Sequence, residues 1–137
     1  MLTPDKLFAL LADKTRLRCL ALLSYSKELC VCQLTNVLEE SQPKISRHLA
    51  SLRQMGILTD ERRGIWIYYQ IDSRLNNWAK DVLENVLTSI ITQEPYCSDR
   101  EKLQNLNAKW NCQDLYLDSS SFRAGCNGTT KVILNHS

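Results

Sequence analysis

The residues in this chain that can do chemistry fall in two neighbouring runs. Cys30 and Cys32 sit in Glu28-Leu-Cys-Val-Cys-Gln-Leu34, and Gln42, Pro43, Lys44, Ser46, Arg47 and His48 sit in Ser41-Gln-Pro-Lys-Ile-Ser-Arg-His-Leu49. Thiolates are soft ligands that select thiophilic ions over magnesium or calcium. A cysteine just inside a helix start has its thiolate favoured by the unpaired N–H groups there. Side chains two apart on an ideal helix point ~200° apart, so gripping one atom with both sulfurs is expected to distort that first turn. The same spacing disfavours a disulfide between the two, so a thiol switch would need a partner elsewhere in the chain. In the second run, Lys, Arg, Ser and Gln on one outer face suit phosphates and base edges.

Those side chains need elements to hold them. Ile45, Leu49 and Leu52 recur at helical spacing and leave Pro43, Lys44, Arg47, Ser51 and Gln54 outward, with Ser46 and His48 on the flanks. Ser41 is the expected N-cap, and Gly56 follows the last turn as a stop signal. The cysteine helix turns Val31, Leu34, Val37 and Leu38 inward, and a turn signal over 39–43 separates it from its successor. Residues 57–63 and 65–71 are rich in β-branched and aromatic types around Gly64, which predicts a hairpin with Arg62 and Arg63 at its tip. A helix-turn-helix followed by a basic-tipped hairpin is a winged helix: mainly α with a β-hairpin wing (α+β). The tip can reach the DNA backbone or minor groove.

Upstream, Thr3-Pro4-Asp5 opens one helix and Asp13 caps a second over 14 to about 24, apolar nearly all round and therefore buried. Cys19 within it reads as a small core hydrophobe. Downstream, Asp72-Ser73 is expected to cap a long helix over 74 to about 93. Its seam is Leu75, Trp78, Ala79, Val82, Leu83, Val86 and Ile90, widened by Leu87 and Ile91. So broad a stripe predicts a homodimer, with Leu7 and Leu11 contributing. After Pro95, Ser98-Asp99-Arg100-Glu101 resembles a capping box opening a short helix. The chain divides into a DNA-binding and dimerisation domain over 1–94 and a cysteine-containing extension over 95–137.

Of 137 residues 44% are hydrophobic and 23% charged, an ordinary globular balance. The net charge of +2 is unremarked, but 41–71 carries five bases to two acids while 94–118 carries three bases to five acids. Positive charge is thus local, as a docking surface needs. No charged-then-apolar leader opens the chain and no apolar run approaches the ~18 residues of a membrane span. A cytoplasmic protein without membrane contact is expected, in which six cysteines point to metal or redox chemistry rather than structural disulfides. No Ser/His/Asp set, Gly-rich phosphate loop or paired carboxylates supports an enzyme, and no organic cofactor is expected.

Leu11-Ala-Asp-Lys-Thr-Arg-Leu-Arg-Cys-Leu-Ala-Leu-Leu23, then the cysteine run, then Ser41 to Leu49, resembles the ArsR family of winged-helix metalloregulatory repressors. The cysteine segment is similar to its arsenic/antimony-responsive branch. The resemblance spans about residues 5–93. It implies a homodimer that binds double-stranded operator DNA and lets go when trivalent arsenic or antimony, the inducer, binds Cys30 and Cys32. It implies DNA contacts from Gln42, Ser46, Arg47 and His48, with Arg62 and Arg63 on the wing. Arsenic-responsive relatives often carry a third cysteine three residues after the second, where this chain has Thr35. Cys97 and Cys112 are further ligand candidates. Zinc fits less well: the two histidines are His48 and His136, and Asp81 and Glu84 on the long helix have no histidine beside them. Alternatives are a redox- or persulfide-sensing repressor, a cadmium or lead sensor of the same fold, a winged-helix protein-interaction module, and, from another class, a thiol-disulfide enzyme. Arg47→Ala is expected to cost about 1–3 kcal/mol of operator binding if Arg47 reads a base. Anisotropy on operator and scrambled DNA checks this; equal loss on both would assign Arg47 to phosphate.

Overall fold

A computed structural model describes residues 1–109. Its elements run α1 (Pro4–Leu11), α2 (Lys14–Tyr25), β1 (Leu29–Cys30), α3 (Val31–Leu38), α4 (Gln42–Gln54), β2 (Leu58–Arg63), β3 (Trp66–Ile71), α5 (Asn77–Ile90) and α6 (Tyr96–Lys109). The α+β winged helix expected from the pattern is the fold that forms.

Two short helices start where sequence chemistry says they should. Asp13 caps α2 by accepting the Arg16 N–H at 2.9 Å, and Ser41 caps α4 through the Lys44 N–H at 3.3 Å. α2 buries Cys19 to Ser24 and forms the centre of the core. α4 inserts Ile45, Leu49 and Leu52, all fully buried. At about 1.5–3 kcal/mol for each such side chain, this burial fixes where α4 lies. Gly64 takes a positive φ of 65° in a two-residue turn that pairs Arg63 with Trp66, a conformation glycine adopts at no steric cost.

Four local expectations change. The wing is not an isolated hairpin: Leu29 and Cys30 form a third strand, pairing with Tyr69 and Tyr68 to give the order β1-β3-β2. Two residues are too few for any periodicity to announce them. The long helix begins at Asn77 after an Asn76 N-cap, because Asp72 instead accepts the Arg74 N–H at 2.8 Å in a local turn. Leu7 and Leu11 are buried within the chain's own core, as are Leu87 and Ile91, while Phe8 is 55% exposed. The last helix starts at Tyr96, so Ser98 to Arg100 lie inside it and are buried, with Glu94 accepting the Ser98 N–H at 2.9 Å.

α6 lies across α2 and α3. Leu103 and Leu106 supply its apolar contact, and Arg18 of α2 grips Asp99 with Nε and Nη2 at 2.7 and 2.8 Å. Asp99 is 2% exposed and Arg18 19%. Residues from 110 onward, which include the expected loops and Cys112 and Cys126, lie outside the described residues. Removing one partner of a buried pair costs about 3–5 kcal/mol. With Arg18 partly hydrated, Asp99→Ala should fall near the low end, about 3 kcal/mol, read as a lower urea midpoint. An unchanged midpoint would mean that apolar contact alone holds α6.

Candidate functional site

Cys30 occupies the N-cap of α3, with extended backbone at φ −87° and ψ 163°. It therefore lies in β1 rather than on the helical spiral, and Cys32 alone sits in the first turn. This overturns the geometric premise that the two side chains point apart. The sulfurs meet without disturbing the helix, and the structure joins them in a disulfide. Gln33 reinforces the arrangement: its side-chain carbonyl accepts the Cys30 N–H at 2.9 Å in a capping box, and its amide reaches Asn107 of α6 at 3.0 Å. Cys30 is 1% and Cys32 8% exposed.

A cavity of about 320 Å³ opens beside the pair. Cys30, Val31, Cys32 and Thr35 form one wall, Gln42 and Ser46 of α4 the facing one, and Ile65, Trp66, Ile67 and Tyr69 of the wing the third. The thiol site and the first turn of α4 therefore share one space. Thr35, in the position where a third cysteine is often found, donates its hydroxyl to the Cys32 carbonyl at 2.9 Å. Among the described residues, no three His, Cys, Asp or Glu side chains gather as a metal site would need. Cys97 is fully buried in α6 and is itself disulfide-bonded. Cys19 is buried in α2, and burial pushes its thiol up to about 12, which makes it chemically quiet.

On α4, Gln42, Pro43 and Arg47 are exposed and Lys44 and Ser46 partly so. Lys44 pairs with Glu40 one turn back. Arg47 and Arg62 are exposed and carry no ion pair among the described residues, so they are the cations most ready for phosphate or base. Arg63 is committed differently. Its guanidinium donates to both carboxylate oxygens of Glu28 at 2.7 and 2.8 Å and lies 4.5 Å from the centre of the Tyr68 ring. In turn the Arg63 hydrogen bond holds the Glu28 carboxyl below the usual carboxylate range. Glu28 immediately precedes β1, so the wing tip is tied to the cysteine segment by side chains as well as by the sheet.

His48 turns toward α2 rather than out. Its Nδ1 lies 3.2 Å from Arg16 Nη1, and Arg16 Nε donates to the Leu10 carbonyl at 2.7 Å. Arginine has no acceptor to offer, so Nδ1 must accept and the ring is neutral with its proton on Nε2. Burial pushes the His48 pKa down, against the pull of Asp13. Arg16, Glu28 and Gln33 were not singled out from the sequence. Glu28 borders the cysteine run, which is the one signal that marked it; Arg16 had none.

A helix-turn-helix with a basic outer face and a wing defines a DNA-binding transcriptional regulator. Residues 13–60 match the model of the bacterial regulatory protein, arsR family. The chain is 51% identical over 87 residues to the arsenic resistance transcriptional regulator ArsR1 of Pseudomonas putida, covering 64% of this chain and 68% of that one. It is 43% identical over 115 residues to the arsenical resistance operon repressor of Escherichia coli, covering 81% and 90%. Among solved structures it is similar to the AntR antimony-specific transcriptional repressor, with a TM-score of 0.53 and 34% identity over 61% of this chain and 73% of that one. The chain belongs to the arsR family of bacterial regulatory proteins. Among the described residues, no helix is long and apolar enough to cross a membrane.

A histidine pKa depressed in the fold adds stability that is complete above the ordinary value of about 6.5 and drains away as pH falls below it. The urea midpoint should therefore drop between pH 7.5 and 5. His48→Gln, which stays neutral, should flatten that drop; an unchanged slope would mean that other groups set it.

Proposed function

We propose that this chain is an arsenic/antimony-responsive transcriptional repressor that binds operator DNA as a homodimer. On this reading, trivalent metalloid bonds to Cys30 and Cys32 and releases the DNA. The observation that carries it is the shared cavity, with the thiol pair on one wall and Gln42 and Ser46 of the DNA-reading helix on the other. Relatives named for arsenic resistance and the antimony-specific structural neighbour support the choice of inducer. Half-buried Trp78, Val82, Val86 and Ile90 on α5 and exposed Phe8 on α1 support the dimer. Arg47 and Arg62 contact phosphate or base, Gln42 and Ser46 read base edges, and Pro43 and Lys44 line the approach. Arg63 exchanges Glu28 for phosphate, and His48 positions α4 from behind.

Binding needs the pair reduced. Each thiol then displaces one hydroxyl from As(OH)3: an As–S bond forms, an As–O bond breaks, and the hydroxyl leaves as water with the thiol's proton. Two bonds form, arsenic stays trivalent, and the third position keeps oxygen or takes an external thiol. Because Cys30 already stands off the helix, release does not require α3 to unwind. The occupant instead presses on the first turn of α4 and the root of the wing. Coupling of this kind is reciprocal, so operator DNA weakens metalloid binding by the same factor.

A redox switch is the second reading, favoured by the direct Cys30–Cys32 disulfide. The two cysteines are joined directly, which the spacing argument did not expect. Operator anisotropy under a phosphine reductant separates the two readings. Arsenite should release the DNA, and Cys30→Ser with Cys32→Ser should abolish release while leaving affinity for DNA. Retention with arsenite but release by peroxide would replace the metalloid reading with the switch.

A further inference from the structure

The match to the arsR family model covers residues 13–60, and α6 lies outside it. Even so, α6 makes polar contacts with both ends of α3, the helix that begins at the thiol pair. We propose that α6 positions Cys30 through Gln33, and so sets how readily the thiol pair captures trivalent arsenic. Such a role rests on the metalloid reading of Cys30 and Cys32, and it makes Gln33 and Asn107 positioning residues. Neither bonds arsenic; both act through Cys30.

Three observations support it. First, Gln33 holds Cys30 at two points. The Cys30 side chain accepts the Gln33 backbone N–H, and the Gln33 side-chain carbonyl accepts the Cys30 N–H at 2.9 Å. Capping boxes ordinarily use a Ser or Thr hydroxyl at this position. Here the capping atom is the sulfur that the metalloid needs. Second, the Gln33 amide is used at both ends, because its NH2 donates to Asn107 Oδ1 of α6 at 3.0 Å. A glutamine side chain loses about 1.5–2 kcal/mol of rotamer freedom when it is fixed. Anchoring its far end on α6 therefore helps to keep the carbonyl on Cys30. Third, α6 is fixed on its own account, by buried Leu103 and Leu106 and by the Arg18–Asp99 pair. Its Lys102 also donates to Glu39 at 3.0 Å, and Glu39 ends α3 in left-handed backbone at φ 55°.

The direction of the effect follows. Two sulfurs share one arsenic only while Cys30 stands extended and turned toward Cys32. When the anchor is lost that arrangement is populated for less of the time, and apparent affinity falls by the same fraction. α4 keeps its own buried side chains, so DNA affinity without inducer is not the quantity that moves.

The test measures arsenite release of operator DNA by anisotropy, under a phosphine reductant, for Gln33→Leu, Asn107→Ala and Asn107→Asp. Asn107 is exposed, so its substitution leaves the core intact. Gln33→Leu should raise the half-release concentration about tenfold and Asn107→Ala about threefold, the range that one lost hydrogen bond spans. Affinity for DNA without arsenite should match that of the wild type. Asn107→Asp keeps an acceptor for the Gln33 NH2 and should keep wild-type sensitivity. A second readout needs no arsenite: in the reduced protein the Cys30 amide should exchange its hydrogen faster in Asn107→Ala and not in Asn107→Asp. Unchanged release and unchanged exchange in Asn107→Ala would overturn the positioning role and leave the metalloid reading standing. Equal losses in Asn107→Ala and Asn107→Asp would also overturn it, since the acceptor would not matter. Failure of arsenite to release DNA from the wild type would overturn both.

Discussion

The pairing of Leu29 and Cys30 with Tyr69 and Tyr68 is the constraint on which the rest of the site depends. It draws the chain out of helical geometry one residue before α3 begins, which lets Cys30 meet Cys32. It also makes the wing and the thiol pair neighbours in one sheet, so a cavity forms between them and α4. Without β1 the pair would lie on a helix with its sulfurs diverging, and the wing would be a separate arm. The Cys30 N–H is part of this device. By bonding to Gln33 it is satisfied in a buried place where an orphan donor costs about 1–3 kcal/mol.

Two kinds of force divide the remaining work. Burial of Ile45, Leu49 and Leu52 dominates the position of α4, because each contributes about 1.5–3 kcal/mol against about 0.5–1.5 for a hydrogen bond such as Arg16–His48. The polar contact is left to select rotation, and it does so by tying α4 to the end of α1. The wing reverses this balance. Its tip is exposed, its arginines are solvated, and the Arg63–Glu28 pair there is weak because water competes with it. The helix is therefore held by burial and the wing tip by exposed polar contacts.

Much of this was legible in the sequence. The stripes Ile45-Leu49-Leu52 and Leu34-Val37-Leu38, the caps Asp13 and Ser41, and the Gly64 turn are local signals, and each reads out as an element near its expected bounds. Errors gathered where a local signal competed with a tertiary contact. Asp72 had the chemistry of an N-cap but bonds Arg74 in a turn, and Ser98-Asp99-Arg100 had that of a capping box but is buried within the first turn of α6, where Arg18 pairs with Asp99. Leu7 and Leu11 carried the right pattern for an interface and went into the core instead, since a stripe does not say which surface will cover it.

The sequence by itself determined the class of fold, the identity of the thiol pair and the basic helix, and the family to which they point. Helical and strand periodicity, capping chemistry and residue type are properties of a few neighbouring residues, and they survive in one dimension. Only the tertiary structure decided that Cys30 leaves the helix, that His48 faces inward, that Glu28 holds Arg63, and that the cysteines open into a cavity walled by Gln42, Ser46 and the wing. Each of these depends on contacts between segments distant in sequence, or on a strand of two residues that forms because β3 is there to receive it.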